Sequence, residues 1–384
     1  MGEVKKVLVV GAGIGGLGAT AALAQRGIDV DVIEIRPHST VFGVGINQPG
    51  NSLRALRAIG VLDDVIAAGY EFDGWRFKDY KDNLIVDVPS GIGDEDTPAN
   101  IALTRRDLHD ILIGAVKRAG VEVRYGVTAE ELDDRGDSVH ATFSDGSSGD
   151  YDLVVGFDGI KSGIRRQLFG DTHKPVYTGY AVWRVTVPRS GPPRLSGIYQ
   201  GINAKGGYIP LNERQMYLFL VTPEPQDQRY EKEQLADLLR DRLAQFDGIP
   251  AEVREQLGPH SEVVYSPLSE VLLPEPWHRG RIVVAGDAAH ACSPHITQGA
   301  GMALEDGVVL ADELEADRPV EEALVAFAAR RHPRAKLVQD VSRGILDAEM
   351  RVVSDEALGH AAEHMAAELP GQMGGVDAIL RQPA

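Results

Sequence analysis

Three glycines near the N-terminus, Gly11, Gly13 and Gly16, have the spacing G-x-G-x-x-G. In this pattern the first glycine permits a tight turn and the second lets backbone approach a pyrophosphate. The third lets a helix pack closely on a strand. The helix that follows directs free N–H groups and the positive end of its dipole toward the phosphates. The spacing therefore indicates a binding site for the phosphates of a dinucleotide.

A carboxylate follows these glycines at a distance that suits a ribose hydroxyl. Glu34 lies 34 − 13 = 21 residues after Gly13, close to the offset of about 20 that such sites have. An apolar strand (residues 7–10) precedes the glycines, a helix (17–26) follows them, and a second apolar strand (30–35) delivers Glu34. This context predicts a βαβ unit that binds a dinucleotide.

The same stretch has features of a signal peptide. Residues 7–24 carry no charge, follow Lys5 and Lys6, and end in Ala-Leu-Ala. However, the run contains five glycines, which weaken a membrane-inserted helix, and it coincides with the phosphate-binding pattern. We therefore interpret it as a phosphate loop. The single cysteine, Cys292, fits a reducing, cytoplasmic location.

Size and composition predict a globular protein of two domains. The chain has 384 residues, of which 43% are hydrophobic and 25% charged. Its net charge of −18 argues against a nucleic-acid partner, because phosphate backbones are bound by basic surfaces. No other run is long and apolar enough to span a bilayer, so we expect no membrane partner.

The order of predicted elements indicates an interrupted α/β fold. Residues 1–174 alternate strand and helix signals, whereas 175–275 contain strands rich in β-branched and aromatic residues at 182–187, 207–211 and 216–221. Residues 276–384 return to an apolar strand (281–285) and helices at about 300–315, 320–349 and 355–367. We predict a Rossmann-like nucleotide domain in two parts, 1–174 and 276–384, with an antiparallel sheet domain inserted at 175–275. Residues 42–50 read as a glycine-rich loop, and the chain from about Pro370 as loose structure.

Two further motifs favour FAD over NAD. Gly156-Phe157-Asp158-Gly159 follows a buried strand, and so does Gly286-Asp287, which leads into Pro294 and then Gly299-Ala300-Gly301-Met302. A carboxylate placed directly after such a strand can accept a hydrogen bond from a ribitol hydroxyl. A glycine-rich helix start can present N–H groups to a negatively polarised flavin edge.

With these motifs in this order, the chain resembles the single-component, FAD-dependent aromatic monooxygenases of class A, which are related to p-hydroxybenzoate hydroxylase. It is most similar to the branch of hydroxynicotinate and salicylate-type hydroxylases. The resemblance extends from about Lys5 to Arg331. It departs from the family at Phe157, where a small residue is usual, and at Met302 and Ala303, near the position of a common asparagine.

The resemblance implies a set of FAD-binding residues. Arg105 sits where the family carries an arginine that faces the FAD, although taken alone it reads as a solvated arginine at a helix start. The full set is Gly11, Gly13, Gly16, Glu34, Arg36, Gly45, Arg105, Val127, Asp158, Gly286, Asp287, Gly299, Gly301 and Met302.

The resemblance also implies the reaction. Reduced flavin reacts with O2 to give a C4a-hydroperoxide, which transfers OH to a small phenolic or N-heteroaromatic substrate. The cofactor carries this chemistry, and the protein positions the substrate and excludes water. Because the sequence has no second G-x-G-x-x-G pattern, NADH or NADPH is expected as a transient co-substrate. We expect a monomer or homodimer.

Six residues are candidates for contact with the substrate. Pro294 and His295 lie on the loop that the family places over the flavin, and a neutral histidine there would accept a phenol proton. Arg184 would hold a carboxylate bidentately. The others are Tyr208 and Tyr217 on the sheet and Asn47 in the glycine-rich loop. The structural alternatives are a plain loop histidine, an ion-paired arginine, and tyrosines packed in the core.

Other functions have weaker support in the sequence. His290, Cys292 and His295 imitate a metal cluster, but no fourth ligand is near in sequence, so we predict no metal. Nothing marks Cys292 as a nucleophile. The competing interpretations are another FAD enzyme on this scaffold, such as a halogenase or an ene-type reductase, and a flavin-binding regulator without catalysis. The Gly-x-Trp-x-x-Ile-Pro motif of halogenases is absent, since Gly74-Trp75-Arg76 does not continue in that way.

Overall fold

The computed structural model describes residues 3–39, 44–192 and 194–384. Within these ranges, none of the helices has the length and apolar character needed to cross a membrane. The strands are β1 Lys6–Val10, β2 Asp29–Glu34, β3 Gly45–Pro49, β4 Tyr70–Glu71, β5 Gly74–Asp79, β6 Leu84–Pro89, β7 Asn100–Thr104, β8 Val123–Tyr125, β9 Ala129–Asp134, β10 Val139–Phe143, β11 Ser148–Tyr151, β12 Leu153–Gly156, β13 Val176–Pro188, β14 Leu195–Gly201, β15 Ala204–Pro210, β16 Gln215–Pro223, β17 Val264–Glu270, β18 His278–Arg279 and β19 Ile282–Val284. The helices are α1 Ile14–Gln25, α2 Gly50–Ala58, α3 Leu62–Ala68, α4 Arg105–Arg118, α5 Gly163–Phe169, α6 Leu235–Arg242, α7 Ile249–Gln256, α8 Asp287–His290, α9 Gly299–Glu315, α10 Val320–Glu349 and α11 Asp355–Arg381.

A six-stranded sheet forms the centre of the nucleotide domain, in the order β18-β19-β12-β1-β2-β8. All its pairs are parallel except β18 with β19. The apolar runs of β1 and β12 are buried, as expected for parallel strands covered by helices on both faces. Helices α1 and α9 pack closely, since a Cβ at Gly307 would lie 2.6 Å from Ala19 Cα. The predicted α/β class is confirmed.

A seven-stranded sheet forms the second layer, in the order β17-β13-β16-β15-β14-β5-β6. It is antiparallel except for the pair β14 and β5. Its strands alternate between two faces. Residues such as Trp183, Tyr199 and Leu218 pack with α6 and α7, whereas Val182, Ile198 and Phe219 face the nucleotide domain. This sheet is larger than the predicted insertion at 175–275, because β5 and β6 come from residues 74–89.

Two local predictions need correction. The glycine-rich stretch was expected to be a loop, but Gly45–Pro49 is a strand that pairs with β7; residues 42 and 43 of that stretch lie outside the described part of the chain. The segment after Pro370 was expected to be loose, but α11 continues to Arg381. The side chain of Leu380 in the last turn of α11 is buried. Arg54 Nη2 and Arg334 Nη2 donate hydrogen bonds to the carbonyl of Leu380 and so stabilise this turn.

Candidate functional site

One cavity of about 1370 Å³ lies between the two sheets. It begins at the loop after β1, passes the ends of β12 and β19, and continues between the seven-stranded sheet and the helices α10 and α11. Pockets for a single drug-sized ligand measure about 300–1,000 Å³. The cavity therefore has room for a dinucleotide and a second ligand.

The glycine loop forms one end of the cavity. Gly11 has φ +108°, a left-handed conformation that favours glycine, and a Cβ there would collide with the carbonyl oxygen of Phe157. Gly13 is the N-cap of α1, and nothing lies within 4 Å of the place where its Cβ would be. The open space above the helix start is the kind of cradle that a pyrophosphate needs.

Glu34 is fixed beside this loop by backbone donors. Ala12 N donates to Glu34 Oε2 at 2.9 Å, and Arg36 N donates to Glu34 Oε1 at 3.0 Å. A carboxylate has about four acceptor positions, so further donors can still bind it. Glu34 lines the cavity together with Arg36, in the place expected for a carboxylate that binds a ribose.

Asp158 offers a buried acceptor that has no partner. Ile164 N donates to Asp158 Oδ2 at 3.0 Å, whereas Asp158 Oδ1 is buried and has no hydrogen-bond partner among the described residues. A buried acceptor without a donor is costly. Because Asp158 lines the cavity, a hydroxyl group of a bound ligand would remove that cost.

Asp287 stands at the start of α8, on the same wall. Burial raises the pKa of its carboxyl, and the charges of His290 and Arg105 act against this. His290 itself points away from the cavity and binds Asp306, with 2.6 Å between Nε2 and Oδ2. Asp306 also accepts from Gly286 N at 2.8 Å and from Arg331 Nε at 2.6 Å. His290 therefore braces the loop that presents Asp287.

Two arginines face the middle of the cavity. Arg105 at the start of α4 and Arg184 on β13 both line it, and neither side chain has a hydrogen bond or an ion pair with a described residue. Burial lowers the pKa of Arg105, and Asp287 opposes this. Burial and the charge of Arg105 lower the pKa of Arg184 to about 10. Both remain cations at neutral pH, and the site therefore attracts anions.

Tyr217 lies beside these arginines. It faces the cavity from β16, and burial raises the pKa of its hydroxyl to about 12 although Arg184 and Arg105 lower it. A Cβ at Gly45 would lie 2.6 Å from Tyr217 Cε1, so the glycine makes room for the tyrosine ring. At neutral pH the hydroxyl is a neutral donor in the cavity.

Asn47 holds the loop that leads into α9. Its Nδ2 donates to Asn100 Oδ1 and Thr297 Oγ1, each at 3.0 Å, and its Oδ1 is buried without a partner among the described residues. Pro294 and His295 of the same loop line the cavity, as does Gly299. The structure thus brings Asn47, Pro294 and His295 to one wall.

His295 lies beside an ion pair of two charged residues that sequence reasoning missed. Its Nε2 lies 3.4 Å from Glu349 Oε2, at the end of α10, and Glu349 Oε1 lies 2.7 Å from Lys205 Nζ, on β15. All three side chains are nearly fully buried and line the cavity. The sequence could have identified Lys205 as a candidate site residue, since it is a charged residue in a buried strand. It could not have identified Glu349, because that residue ends a long helix with many charges.

Four predicted residues lie away from the cavity. Tyr208 points to the opposite face of its strand and packs in the core with α6 and α7, because neighbouring residues of a strand face opposite ways. Val127 is buried behind the cavity, where its N–H donates to the carbonyl of Glu34. Met302 is buried against Arg331, and its N–H donates to the carbonyl of Gln298. Gly301 faces Ser52 and Asn51 of α2.

Residues 3–39, 44–192 and 194–384 contain no group of three or more histidine, cysteine or acidic residues that could hold a metal ion. Burial raises the pKa of Cys292 to about 12, and Asp287 and Glu270 add to this effect. The thiol is therefore protonated at neutral pH and a weak nucleophile.

Comparison with known proteins gives consistent matches over most of the chain. The model of a family described as FAD binding domain matches residues 5–342. The 2-heptyl-3-hydroxy-4(1H)-quinolone synthase of Pseudomonas aeruginosa is 32% identical over 339 residues, which cover 88% of this chain and 87% of that protein. The 6-hydroxynicotinate 3-monooxygenase of Pseudomonas fluorescens is 31% identical over 369 residues, with 89% and 91% covered. The crystal structure of HpxO from Klebsiella pneumoniae, complexed with FAD and uric acid, is similar with a TM-score of 0.87 at 23% identity, and 98% of this chain and 96% of that chain are covered.

Proposed function

Because this chain belongs to the family of the FAD binding domain and is an FAD-dependent monooxygenase, we propose that it hydroxylates a small aromatic substrate that carries an anionic group. NADH or NADPH would supply the electrons and O2 the oxygen atom. The relatives include enzymes named for a hydroxynicotinate and a quinolone, and one named for a hydroxybenzoate, so both N-heteroaromatic and phenolic rings are candidates.

The residues of the cavity fit FAD. The glycine loop would hold the pyrophosphate, Glu34 a ribose hydroxyl, and Asp158 a hydroxyl of the ribitol chain. Asp158 Oδ1, which is buried without a partner among the described residues, is the observation that supports this fit. Arg105 and Asp287 would stand beside the flavin. When bound and reduced, the flavin would activate O2 for transfer of one oxygen atom to the ring.

The single observation that carries the anionic substrate is the unpaired guanidinium of Arg184. It lies on the cavity wall without a carboxylate partner among the described residues, and a buried unpaired charge is costly. Arg105 is expected to face the cofactor, which leaves Arg184 for the substrate. A carboxylate or an ionised ring oxygen would pair with it, and bidentate contact would fix the orientation of the ring.

The remaining cavity residues would position the ring and keep water out. Tyr217 would donate a hydrogen bond to the substrate. Pro294 and Asn47 would limit the movement of the substrate ring on the side of the loop before α9. The apolar wall formed by Val182, Phe219 and Val221 excludes water, which favours transfer to the ring over decay of the activated oxygen.

The test uses the FAD-loaded enzyme with hydroxybenzoates and hydroxypyridine carboxylates, each paired with the analogue that lacks the carboxylate. We expect the carboxylates to accelerate NADH or NADPH oxidation and to give a product with one labelled atom from labelled O2. Arg184→Met should weaken binding of the carboxylates by about tenfold to a hundredfold and have little effect on the analogues. Oxidation without oxygen incorporation would favour a reductase, chlorinated or brominated product a halogenase, and bound FAD without turnover a regulator.

A further inference from the structure

The helices α10 and α11 form a hairpin that is joined at both ends. Residues 350–354 connect the helices at one end. At the other end Arg334 Nη1 donates to the carbonyl of Ile379 at 3.0 Å, and Arg334 Nη2 donates to the carbonyl of Leu380 at 2.7 Å. Between these ends both helices face the cavity. We call this part of the cavity the helix channel; it is lined by Val341, Gly344, Ile345 and Ala348 of α10 and by Ala361, Met365, Leu369 and Met373 of α11.

The helix α10 leaves open space in the helix channel. Gly344 and Ala348 are exposed, and nothing lies within 4 Å of the place where a Cβ on Gly344 would be. Apart from proline, glycine is the least favourable residue in the interior of a helix. A larger residue at position 344 would therefore strengthen α10 and fill the channel. The glycine keeps the channel wide although it weakens the helix.

The polar side chains near the helix channel turn toward water. His364 Nδ1 lies 3.6 Å from Glu368 Oε1, and Gln372 Nε2 donates to Glu368 Oε2 at 3.3 Å. The side chains of His364 and Glu368 are 65% and 55% exposed, and Glu368 does not line the cavity. The half-buried side chains of Met365 and Met373 are thus part of an apolar wall. Methionine is flexible and adapts to ligands of irregular shape.

The helix channel begins beside the place proposed for the substrate ring. Glu349 ends α10, and its Oε1 lies 2.7 Å from Lys205 Nζ. Lys205 pairs with Val221 across the sheet, and Val221 pairs with Val182, two residues before Arg184. A ligand whose anionic group meets Arg184 can therefore extend along the sheet, past the ion pair of Lys205 and Glu349, and into the channel.

The residues that fit FAD lie away from the helix channel. The glycine loop, Glu34, Asp158 and Asp287 belong to elements other than α10 and α11. From Val341 to Ala348, seven residues of helix (348 − 341 = 7) measure about 10 Å, the length of a chain of several carbon atoms. Apolar surface that water can reach is stabilised when an apolar group covers it. The channel therefore suits an alkyl chain better than a polar group.

We propose that the aromatic ring of the substrate carries an unbranched alkyl chain of several carbon atoms, which lies in the helix channel, and that Gly344 determines how bulky this chain can be. The proposal rests on the proposed function, because it describes a further part of the same substrate. Arg184 would hold the anionic group, and the chain would be buried against α10 and α11. The site then selects alkylated rings over unsubstituted ones, because each buried methylene adds to the affinity.

The experiment measures binding to the FAD-loaded enzyme without NADH or NADPH, from the change in flavin absorbance. The probes are salicylate and its ethyl, butyl and hexyl derivatives, with the chain at ring position 4, 5 or 6. We expect the Kd to fall by about twofold to fourfold for each added methylene in at least one of these series. Decanoate, an alkyl chain without a ring, should bind at least about tenfold more weakly than the tightest hexyl derivative, because it lacks the contacts of the ring.

Variants of two helix glycines test the position of the chain. Gly344→Leu places a side chain in the helix channel, and the hexyl derivative should then bind about as weakly as salicylate binds to the same variant. The melting temperature of Gly344→Leu should not fall, because the new Cβ meets open space and leucine favours a helix more than glycine does. Gly359→Leu is the matched control and should keep the full gain from the chain. Gly359 is exposed on α11 and also has nothing within 4 Å of a Cβ, but it does not line the cavity.

Three results would overturn the proposal. If salicylate binds but the Kd is the same for every chain length in all the series, the helix channel takes no alkyl chain. If Gly344→Leu keeps the gain from the chain, the chain lies elsewhere. If decanoate binds as tightly as the hexyl derivative, the channel is a site for free lipid.

Two further arrangements keep the test decisive. If Gly344→Leu does not fold, Ala348→Met places a side chain in the same channel and gives the same comparison. If neither salicylate nor any derivative binds to the wild type, that result contradicts the proposed anionic substrate, whereas binding without dependence on chain length contradicts the alkyl chain alone.

Discussion

The aromatic ring of Phe157 occupies the space beside Gly15 that any side chain at that position would need. A Cβ on Gly15 would lie 2.9 Å from Phe157 Cδ1 and 2.8 Å from Ala303 Cβ, whereas a Cβ on Gly13 would have nothing within 4 Å. The glycine at the N-cap of α1 and the glycine in its first turn thus serve different purposes. Gly15 permits packing within the protein, and Gly13 leaves space for a ligand.

We therefore expect opposite results from two alanine substitutions. Gly15→Ala should lower the free energy of unfolding of the FAD-free protein by about 1–3 kcal/mol, because it overpacks the contact with Phe157. Gly13→Ala should leave that free energy nearly unchanged but weaken FAD binding by at least about tenfold, because backbone must approach the pyrophosphate there. Urea unfolding without FAD and titration with FAD measure the two effects. Equal FAD affinity in the wild type and Gly13→Ala would contradict the assignment of the loop.

The packing of Phe157 also shows what the sequence could and could not predict. The βαβ unit was predictable because glycines, apolar strands and Glu34 have a fixed spacing along the chain. Phe157 departs from the family pattern, in which a small residue is usual at that position. The space that its ring occupies lies beside Gly15, which belongs to a distant segment of the chain. Such complementarity is a property of packing and leaves no periodic signal.

The substrate wall was predicted less well, for a similar reason. The strands that carry Tyr208 and Tyr217 were both predicted, but a shift of one residue in a strand reverses the face of its side chains. Tyr217 faces the cavity and Tyr208 does not. Glu349 lies 144 residues from Lys205 in the chain (349 − 205 = 144), so their ion pair follows only from the tertiary fold. The last turns of α11 were missed because Pro370 and three following glycines suggest an irregular segment.

The difference between the two tyrosines can be tested by removing one oxygen atom from each. Tyr217→Phe should lower kcat/KM for a carboxylated phenol by up to about tenfold, because a neutral hydrogen bond contributes about 0.5–1.5 kcal/mol. Tyr208→Phe should leave kcat/KM within about twofold, since that ring lies on the opposite face of the sheet. Steady-state kinetics on both variants checks this. A larger effect at Tyr208 than at Tyr217 would show that the faces are assigned wrongly.

The network behind the loop of Gly286 and Asp287, formed by His290, Asp306 and Arg331, should make the protein sensitive to acid. Burial alone would raise the pKa of Asp306, but His290 and Arg331 lower it to about 2. A carboxyl whose pKa is lower in the folded state stabilises that state above its unfolded pKa, and this contribution is lost as the pH falls through the folded pKa. We expect about 2 kcal/mol of stability from Asp306, present above about pH 4 and lost between about pH 4 and pH 2. Urea unfolding at a series of pH values measures it.

A matched variant identifies the source of this acid sensitivity. Asp306→Asn should lower stability at pH 7 by about 3–5 kcal/mol, because it leaves Arg331 buried with one partner fewer, and should reduce the loss of stability between pH 4 and pH 2. If that variant does not fold, His290→Gln should move the acid transition to higher pH, since it removes one of the charges that lower the pKa of Asp306. An unchanged acid transition in His290→Gln would contradict the assignment.

The helix α11 is expected to protect the reaction from water. Its residues Met365, Leu369 and Met373 repeat at every fourth position and line the cavity, where an apolar wall favours oxygen transfer to the ring over release of peroxide. Leu369→Gln should therefore raise the share of NADH or NADPH oxidation that ends as hydrogen peroxide, by at least about twofold, with little change in FAD binding. Ala367→Gln, on the exposed side of the same helix, is the matched control and should not change that share. The measurement compares hydrogen peroxide release with product formation in each variant. If the share of oxidation that ends as peroxide is the same in Leu369→Gln and in the wild type, α11 has no part in excluding water.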